Sequence, residues 1–490
     1  MHSITLDSPA RFAVFRAPAW SQVSLLKTIL IIHVALTGVL CGWRLLYPAL
    51  PIDAEQLVYP GCLAVSTVFL WILLSWYLQR RTLFEPYPLF IFSAALFNGG
   101  QAFLEIFGMN PNGFLDGRVP PEILAAGLYQ VTLSMTLLHT GALVALSRNK
   151  RARDTQQNGP ARQRATRMAG WAMLAIGLVP AIILFQNSIS LVMEHGYMSL
   201  FRNSTMSTEV ALSAFVIPGI LFLLAGSQRS RSMQVFCLIL TAAYAGTYLF
   251  LGGRMSAAMI CIAVAWVFER SIRRIPRALI LVLALLALLV FPLVRETRLT
   301  GGQYRSLGDQ IDVLSNLDDP LSSSVSEMGH SLVTVTHTMT LVPETRPYDY
   351  GESYLYALTT IIPNLGWAVH PSVSHGLLSD WLINTVDRVT AAAGGGLGFS
   401  FIAEAYLNFG TFGGPIWLGL TGFALVWLFL KADGNDPAKH AFAASFLSFL
   451  FVFTRGESAI VARGLVWYAL VPYALACLMT VSSRCKLERL

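Results

Sequence analysis

Twelve strongly apolar runs dominate this 490-residue chain, near 26–46, 58–78, 86–107, 122–147, 170–192, 209–226, 232–251, 255–268, 278–294, 413–430, 441–453 and 461–482. Most approach the roughly 20 helical residues needed to cross a hydrocarbon core about 30 Å thick. They are apolar on every side rather than alternating, which excludes an outer-membrane barrel and leaves a helical bundle, because lipid tolerates only backbones whose polar groups pair internally. With 55% apolar and 12% charged residues, the sequence predicts one membrane domain over 1–490. Its expected fold class is all-α, a polytopic integral membrane bundle of about 12 helices. The first 24 residues lack the basic head, oily stretch and small-residue cleavage site of a secretory signal, so the first run is expected to act as the anchor.

Charge orients the bundle. With a cytoplasmic N-terminus, the inner segments hold the basic clusters near 79, 147–167, 227, 269–277 and 431–439 and the tail, which also makes the C-terminus cytoplasmic. The net charge of +7 therefore reflects membrane orientation, and nucleic acid is not an expected partner. All five lysines (Lys27, Lys150, Lys431, Lys439, Lys486) fall inside, so every outward cation is an arginine. Arginine grips phosphate or carboxylate with a fork, whereas lysine is a point charge, and an outer face that holds an anion is one reading of the bias; arginine-rich usage is the other. The longest inner loop, about 20 residues, is too short for a nucleotide-binding domain, and no GxxxxGK[ST], Rossmann glycine pattern or HExxH occurs. Six cysteines without a CxxC support neither a disulfide framework nor a thiolate metal site. Residues 295–412 form one long outward, periplasmic loop, and chemistry is expected there.

Several arginines sit where apolar runs meet that outer side. In "LFLGGRMSAAM", Arg254 precedes a run of only 14 residues (255–268), about 21 Å long, which sinks its charge below the outer surface. A second short run, 441–453, ends at "FTRGES" with Arg455 and Glu457, and Arg463 shares a face with Arg455 if one helix carries both. Arg295 and Arg298 follow at the mouth of the long loop. Charge at such depth normally faces a wet cavity and marks a functional path; snorkelling, or a structural Arg455–Glu457 pair, is the alternative.

Within the loop, Glu327, His330 and His337 share a side of a helical stretch, but too few good ligands accompany them for a metal site. Tyr354 and Trp367 belong to a group of aromatics with polar edges suited either to a membrane interface or to sugar rings. In "AGGGLGFSFIAEAYLNFGTFGG", glycines frame a short helix over 399–409 on which Ser400, Glu404 and Asn408 recur every fourth residue. Eleven residues cannot span a bilayer, so this helix is expected to lie at the interface or in a cavity mouth with Glu404 directed at the occupant. Glu404 is then either a buried hydrogen-bond partner or a base for a sugar hydroxyl.

The "GGR" turn, "EMG" at 327–329, "YxxGxSY" (Tyr348, Gly351, Ser353, Tyr354), "IPN" (Pro363, Asn364) and "FSFIAEAYLNFG", in that order over about 240–465, resemble the O-antigen polysaccharide polymerase (Wzy) family of bacterial inner-membrane proteins. The resemblance implies a periplasmic-face glycosyltransferase that transfers glycan from undecaprenyl pyrophosphate to the sugar of another lipid-linked repeat unit. It leaves a chain-length regulator protein open as a partner. Glu404, Arg254 and Arg455 are the catalytic candidates; Arg295, Arg298, Arg463, Tyr354, Asn408 and Trp367 are candidates for substrate binding; no metal and no cofactor are expected. An O-antigen ligase and a lipid-linked oligosaccharide flippase are the alternatives. The related ligases carry a His-Asn pair where this chain has Glu404 and Asn408, and a flippase predicts internal repeats that this sequence lacks.

Overall fold

The computed structural model describes residues 19–46, 53–110, 113–149, 159–196, 199–202, 208–287, 319–362 and 367–487, and among these every regular element is helical. In chain order the elements used below are α1 (Ala19–Leu46), α2 (Glu55–Arg80), α3 (Pro86–Ile106), α4 (Pro121–Arg148), α5 (Pro160–His195), α6 (Thr208–Gly226), α7 (Arg231–Phe250) and α8 (Arg254–Ser271). They continue with α9 (Arg277–Ala287), α10 (Pro320–Gly329), α11 (Ser331–Leu341), α12 (Glu352–Thr359), α13 (Leu378–Val386), α14 (Phe401–Lys431), α15 (Pro437–Phe453) and α16 (Ser458–Ser482). Among the described residues nine helices, α1 to α7, α14 and α16, are long and apolar enough to cross a membrane, and α9 and α15 are shorter apolar helices.

Among the described residues the expected count of twelve is thus not confirmed, and the reasons are local. The run 255–268 lies in an 18-residue helix, α8, that opens on Arg254 and closes on Glu269, Arg270 and Ser271. Only the first part of 278–294 falls within the described residues, as α9. The short run 441–453 lies in α15, almost every residue of which is enclosed by other helices, so lipid thickness does not set its length.

Helices in lipid associate through close backbone approach rather than through exclusion of water, and small residues permit it. α4 and α14 cross where a Cβ on Gly141 would fall inside the Gly419 carbonyl, and one on Gly422 inside the Leu138 carbonyl. Gly170 lets α5 meet the Leu223 backbone of α6 in the same way. A buried histidine inside the bundle is paired on both ring nitrogens: His139 lies between Ser75 Oγ at 2.7 Å and Tyr87 Oη at 2.9 Å.

The basic segments near 79–85, 269–277 and 431–436, expected on one side, meet at one end of the bundle. Arg80 bridges Glu85 (3.0 Å) and Asp433 (2.8 Å), Arg270 pairs with Asp433, and buried Arg162 forks onto Asp436 at 2.8 Å. The loop helices α10 to α13 and the N-terminus of α14 pack at the other end.

Replacement of Gly422 by leucine is expected to force α4 and α14 apart, at a cost of about 1–3 kcal/mol or more. Thermal unfolding and gel filtration in detergent check this: Gly422→Leu lowers the midpoint or aggregates, whereas Gly396→Ala, with open space around it, leaves the protein unchanged.

Candidate active site

The first arm of α14 forms the floor of the site. Gly398, at φ +72°, lies against Arg455, and the Phe399 N–H donates to the Arg455 carbonyl at 3.2 Å. Ser400 caps the helix by accepting the Ile402 N–H at 3.2 Å, and its hydroxyl donates to Asn98 Oδ1 of α3 at 2.6 Å. Side chains from Phe401 to Asn408 are all buried. The helix then breaks at Gly410, with φ 69° and ψ −164°, and resumes toward Lys431. At this break the Leu407 and Asn408 carbonyls accept the N–H groups of Asp349 and Tyr350 at 3.0 and 3.1 Å, which docks the loop on the helix. The 399–409 piece, expected as a separate short helix at the interface or in a cavity mouth, is instead the enclosed first arm of a 31-residue kinked one.

The polar stripe is real, and it faces protein. Glu404 is 1% exposed. Its Oε1 accepts the hydroxyls of Ser353 (2.9 Å) and Ser458 (2.6 Å), and its Oε2 accepts the Ser458 N–H at 2.7 Å. Ser458 begins α16, so the carboxylate sits at a helix N-terminus, where the backbone dipole favours negative charge. Asn408 donates to Ser353 Oγ and accepts the Gly351 N–H, both at 2.8 Å. Glu457, in the turn between α15 and α16, accepts the Leu378 N–H at the start of α13 at 2.9 Å. Burial, reinforced by the nearby carboxylates of Glu404 and Asp380, pushes Glu457 up to about 8, although the Leu378 N–H pulls the other way. Arg346 holds Asp349 at 2.8 Å and stacks 4.5 Å above the Trp381 ring. Segments far apart in sequence thus converge on one carboxylate.

The arginines divide. Arg455 is exposed, its guanidinium 5.9 Å from the Phe97 ring of α3. The helix stops between it and Arg463: α15 ends at Phe453 and α16 starts at Ser458, so the two do not share one helix face as expected. Arg463 is half-buried in α16. Arg254, 9% exposed, is held by both oxygens of Glu327 in α10, with Nη1 to Oε2 at 3.0 Å. Helix α3 links the two places, because Asn98 Nδ2 donates to the Thr454 carbonyl at 3.0 Å while Gln101 Nε2 donates to the Ser326 carbonyl at 3.0 Å. Three residues separate these contacts, about 4.5 Å along the helix. Tyr354 packs against Trp417 (centroids 4.9 Å) and Phe409 (6.2 Å), close to Glu404. Trp367 stands 43% exposed with its ring edge-on to His370. Arg295, Arg298, Pro363 and Asn364 lie outside the described residues.

Sequence reasoning missed Ser458, Glu327 and Asn98 as partners. Ser458 stands in the already noted "FTRGES", where a serine directly after the acidic residue at a helix start was a readable signal. Asn98, in "LFNGG", carried none.

Fold and site together define a polytopic helical membrane protein with a polar centre at the end of the bundle covered by a long loop. Its sequence matches the profile of the O-antigen polysaccharide polymerase Wzy family over residues 29–488, nearly the whole chain, and the protein belongs to that family. Membership gives it the general role of O-antigen polymerase, a glycosyltransferase-like enzyme, as a multi-pass bacterial membrane protein. Comparison with curated proteins and with solved structures gives no match.

The Glu457 carboxyl makes stability depend on pH. The fold favours its protonated form, so its contribution is complete below about pH 4.5 and is lost as pH rises through about 8. A Glu457→Gln variant, which still offers an acceptor to Leu378, is expected to flatten the fall of the thermal midpoint across that window. An identical slope in the variant and the parent excludes Glu457 as its source.

Proposed function

We propose that the chain joins lipid-linked repeat units at the outward face of the bacterial inner membrane, with a polyprenyl pyrophosphate as the donor's leaving group. No nucleotide sugar or ATP is available there, so a donor must carry its own activation. The observation that carries this reading is the turn Arg455–Ser458, which sets an exposed guanidinium three residues from a half-buried hydroxyl bonded to the enclosed Glu404 carboxylate.

In this scheme a hydroxyl of the acceptor sugar attacks the anomeric carbon of the donor, the bond from that carbon to the pyrophosphate oxygen breaks, and polyprenyl pyrophosphate leaves. The hydroxyl proton passes to Ser458 Oγ as that group gives its own to Glu404. This keeps the acid–base role for Glu404 while it stays buried. Arg455 meets the charge developing on the leaving group, where preorganised donors contribute most. Arg254, its fork oriented by Glu327, offers fixed N–H donors from the other flank of α3. Tyr354 and Asn408 shape the sugar side through Trp417, Phe409 and Ser353, Trp367 offers an exposed indole to the glycan, and Arg463 extends the cationic rim. Every atom and charge in the step is accounted for without a metal ion. The cluster of basic residues at the opposite end supports cytoplasmic termini. Family membership favours polymerisation over the ligase and flippase readings.

Purified protein incubated with lipid-linked repeat units alone is expected to yield a ladder of polymer; a strict requirement for nucleotide would end the scheme. Arg455→Ala is expected to lose about 10²–10³ in polymerisation rate, and wild-type turnover in that variant removes Arg455 from the mechanism. Glu404→Gln preserves an acceptor for the Ser458 N–H, so the expected result is a folded protein that binds lipid-linked donor but polymerises slowly. Arg254→Ala is expected to leave surface glycan one repeat unit long, read as the ladder on a gel.

A further inference from the structure

At the end of the bundle opposite Glu404, a cavity of about 880 Å³ opens between the ends of α2, α3, α8 and α14 and the start of α9. It has the size of a small-molecule site and takes no part in the chemistry above. Five arginines line it: Arg80, Arg81, Arg270, Arg274 and Arg277. Three carboxylates lie among them, and each is already engaged. Glu85 binds Arg80 at 3.0 Å, Asp433 binds Arg80 at 2.8 Å and also Arg270, and Glu269 binds Arg277 at 2.7 Å. Arg81 and Arg274, both exposed at the rim, make no ion pair among the described residues. The cavity therefore carries an excess of two positive charges, presented by the side chain best shaped to fork onto a phosphate.

Its walls also suit one end of an amphiphile. Trp76, Trp266, Phe84 and Phe429 form an apolar lining beside the arginines. From the same rim, α9 runs away from Arg277 with apolar side chains exposed all round it, among them Leu279 (47% exposed), Leu281 (61%), Leu283 (56%) and Leu286 (51%). A helix apolar on every side, starting at the rim of the cavity, is a surface that a soluble anion would not use and an acyl chain would. Basic pockets between membrane helices on the cytoplasmic side are a physical setting for acidic headgroups.

We propose that this cavity binds the phosphate headgroup of an acidic phospholipid, with Arg81 and Arg274 on the phosphate and the acyl chains along the exposed apolar surface of α9. The site is independent of the reaction at the other end of the bundle. The test uses delipidated full-length protein in detergent, titrated with phosphatidylglycerol, with phosphatidylcholine of the same chains, and with millimolar inorganic phosphate, read by native mass spectrometry and thermal unfolding. Phosphatidylglycerol is expected to bind and raise the midpoint, with little effect of the other two. The double variant Arg81→Ser, Arg274→Ser is expected to need roughly thirtyfold more phosphatidylglycerol, about fivefold for each charge near the membrane surface. Equal effects of the two lipids overturn the proposal, as does an unchanged titration in the double variant. A full shift with inorganic phosphate alone also overturns it by assigning the cavity to a soluble anion. If the double variant does not accumulate, the comparison of lipids on the wild-type protein decides.

Discussion

A carboxylate enclosed among membrane helices is tolerable only when donors meet its oxygens, because the low dielectric leaves an unpaired charge with nothing to replace water. Glu404 meets that condition with donors from two segments remote in sequence, the hydroxyl of Ser353 in α12 and the hydroxyl and N–H of Ser458 at the head of α16. The requirement works in both directions. The first arm of α14 is stable in its buried position because α12 and α16 arrive beside it, and those two are fixed in place because the carboxylate demands them. Gly410 belongs to the same arrangement, since the break it allows turns the backbone toward Asp349 and Tyr350 and so delivers Ser353 to Glu404.

Much of this was legible before any coordinates. Long all-round apolar runs fixed helices in lipid, since no other element satisfies its backbone there, and the first seven runs correspond to α1 through α7. The four-residue recurrence of Ser400, Glu404 and Asn408 announced a polar stripe, and glycines announced a break. What periodicity does not contain is the identity of the partner. The same stripe serves a water-filled mouth or an enclosed joint, and Ser353 and Ser458, which decide between them, lie some fifty residues away on either side. The same limit explains Arg455 and Arg463: spacing of eight suggests a shared face, but the pair is separated by the Thr454–Glu457 turn, whose shape depends on contacts with Asn98 and Leu378.

Burial likewise separates arginines that look alike in sequence. Arg254, expected below the outer surface, is buried among helices, and its burial is made acceptable by Glu327, a residue the sequence marks only by its spacing to two histidines and by the EMG motif. Paired in this way it is oriented and neutralised at once. Arg455 keeps its guanidinium at the surface while its backbone carbonyl anchors Phe399, so one residue both shapes the floor of the site and presents charge above it.

The two ends of the bundle then follow one rule. At each, carboxylates engage inner arginines and give them fixed geometry, and further arginines stand exposed at the opening: Arg455 at one end, Arg81 and Arg274 at the other. Helices α3, α8 and α14 carry residues of both ends, about 27 Å apart for an 18-residue helix such as α8. A guanidinium at such an opening is cheap to hold in the fold because it stays near water and its inner neighbours are already compensated. That combination fits the polyprenyl pyrophosphate donor proposed above, whose charge would stand at the surface and whose apolar part would lie among the helices.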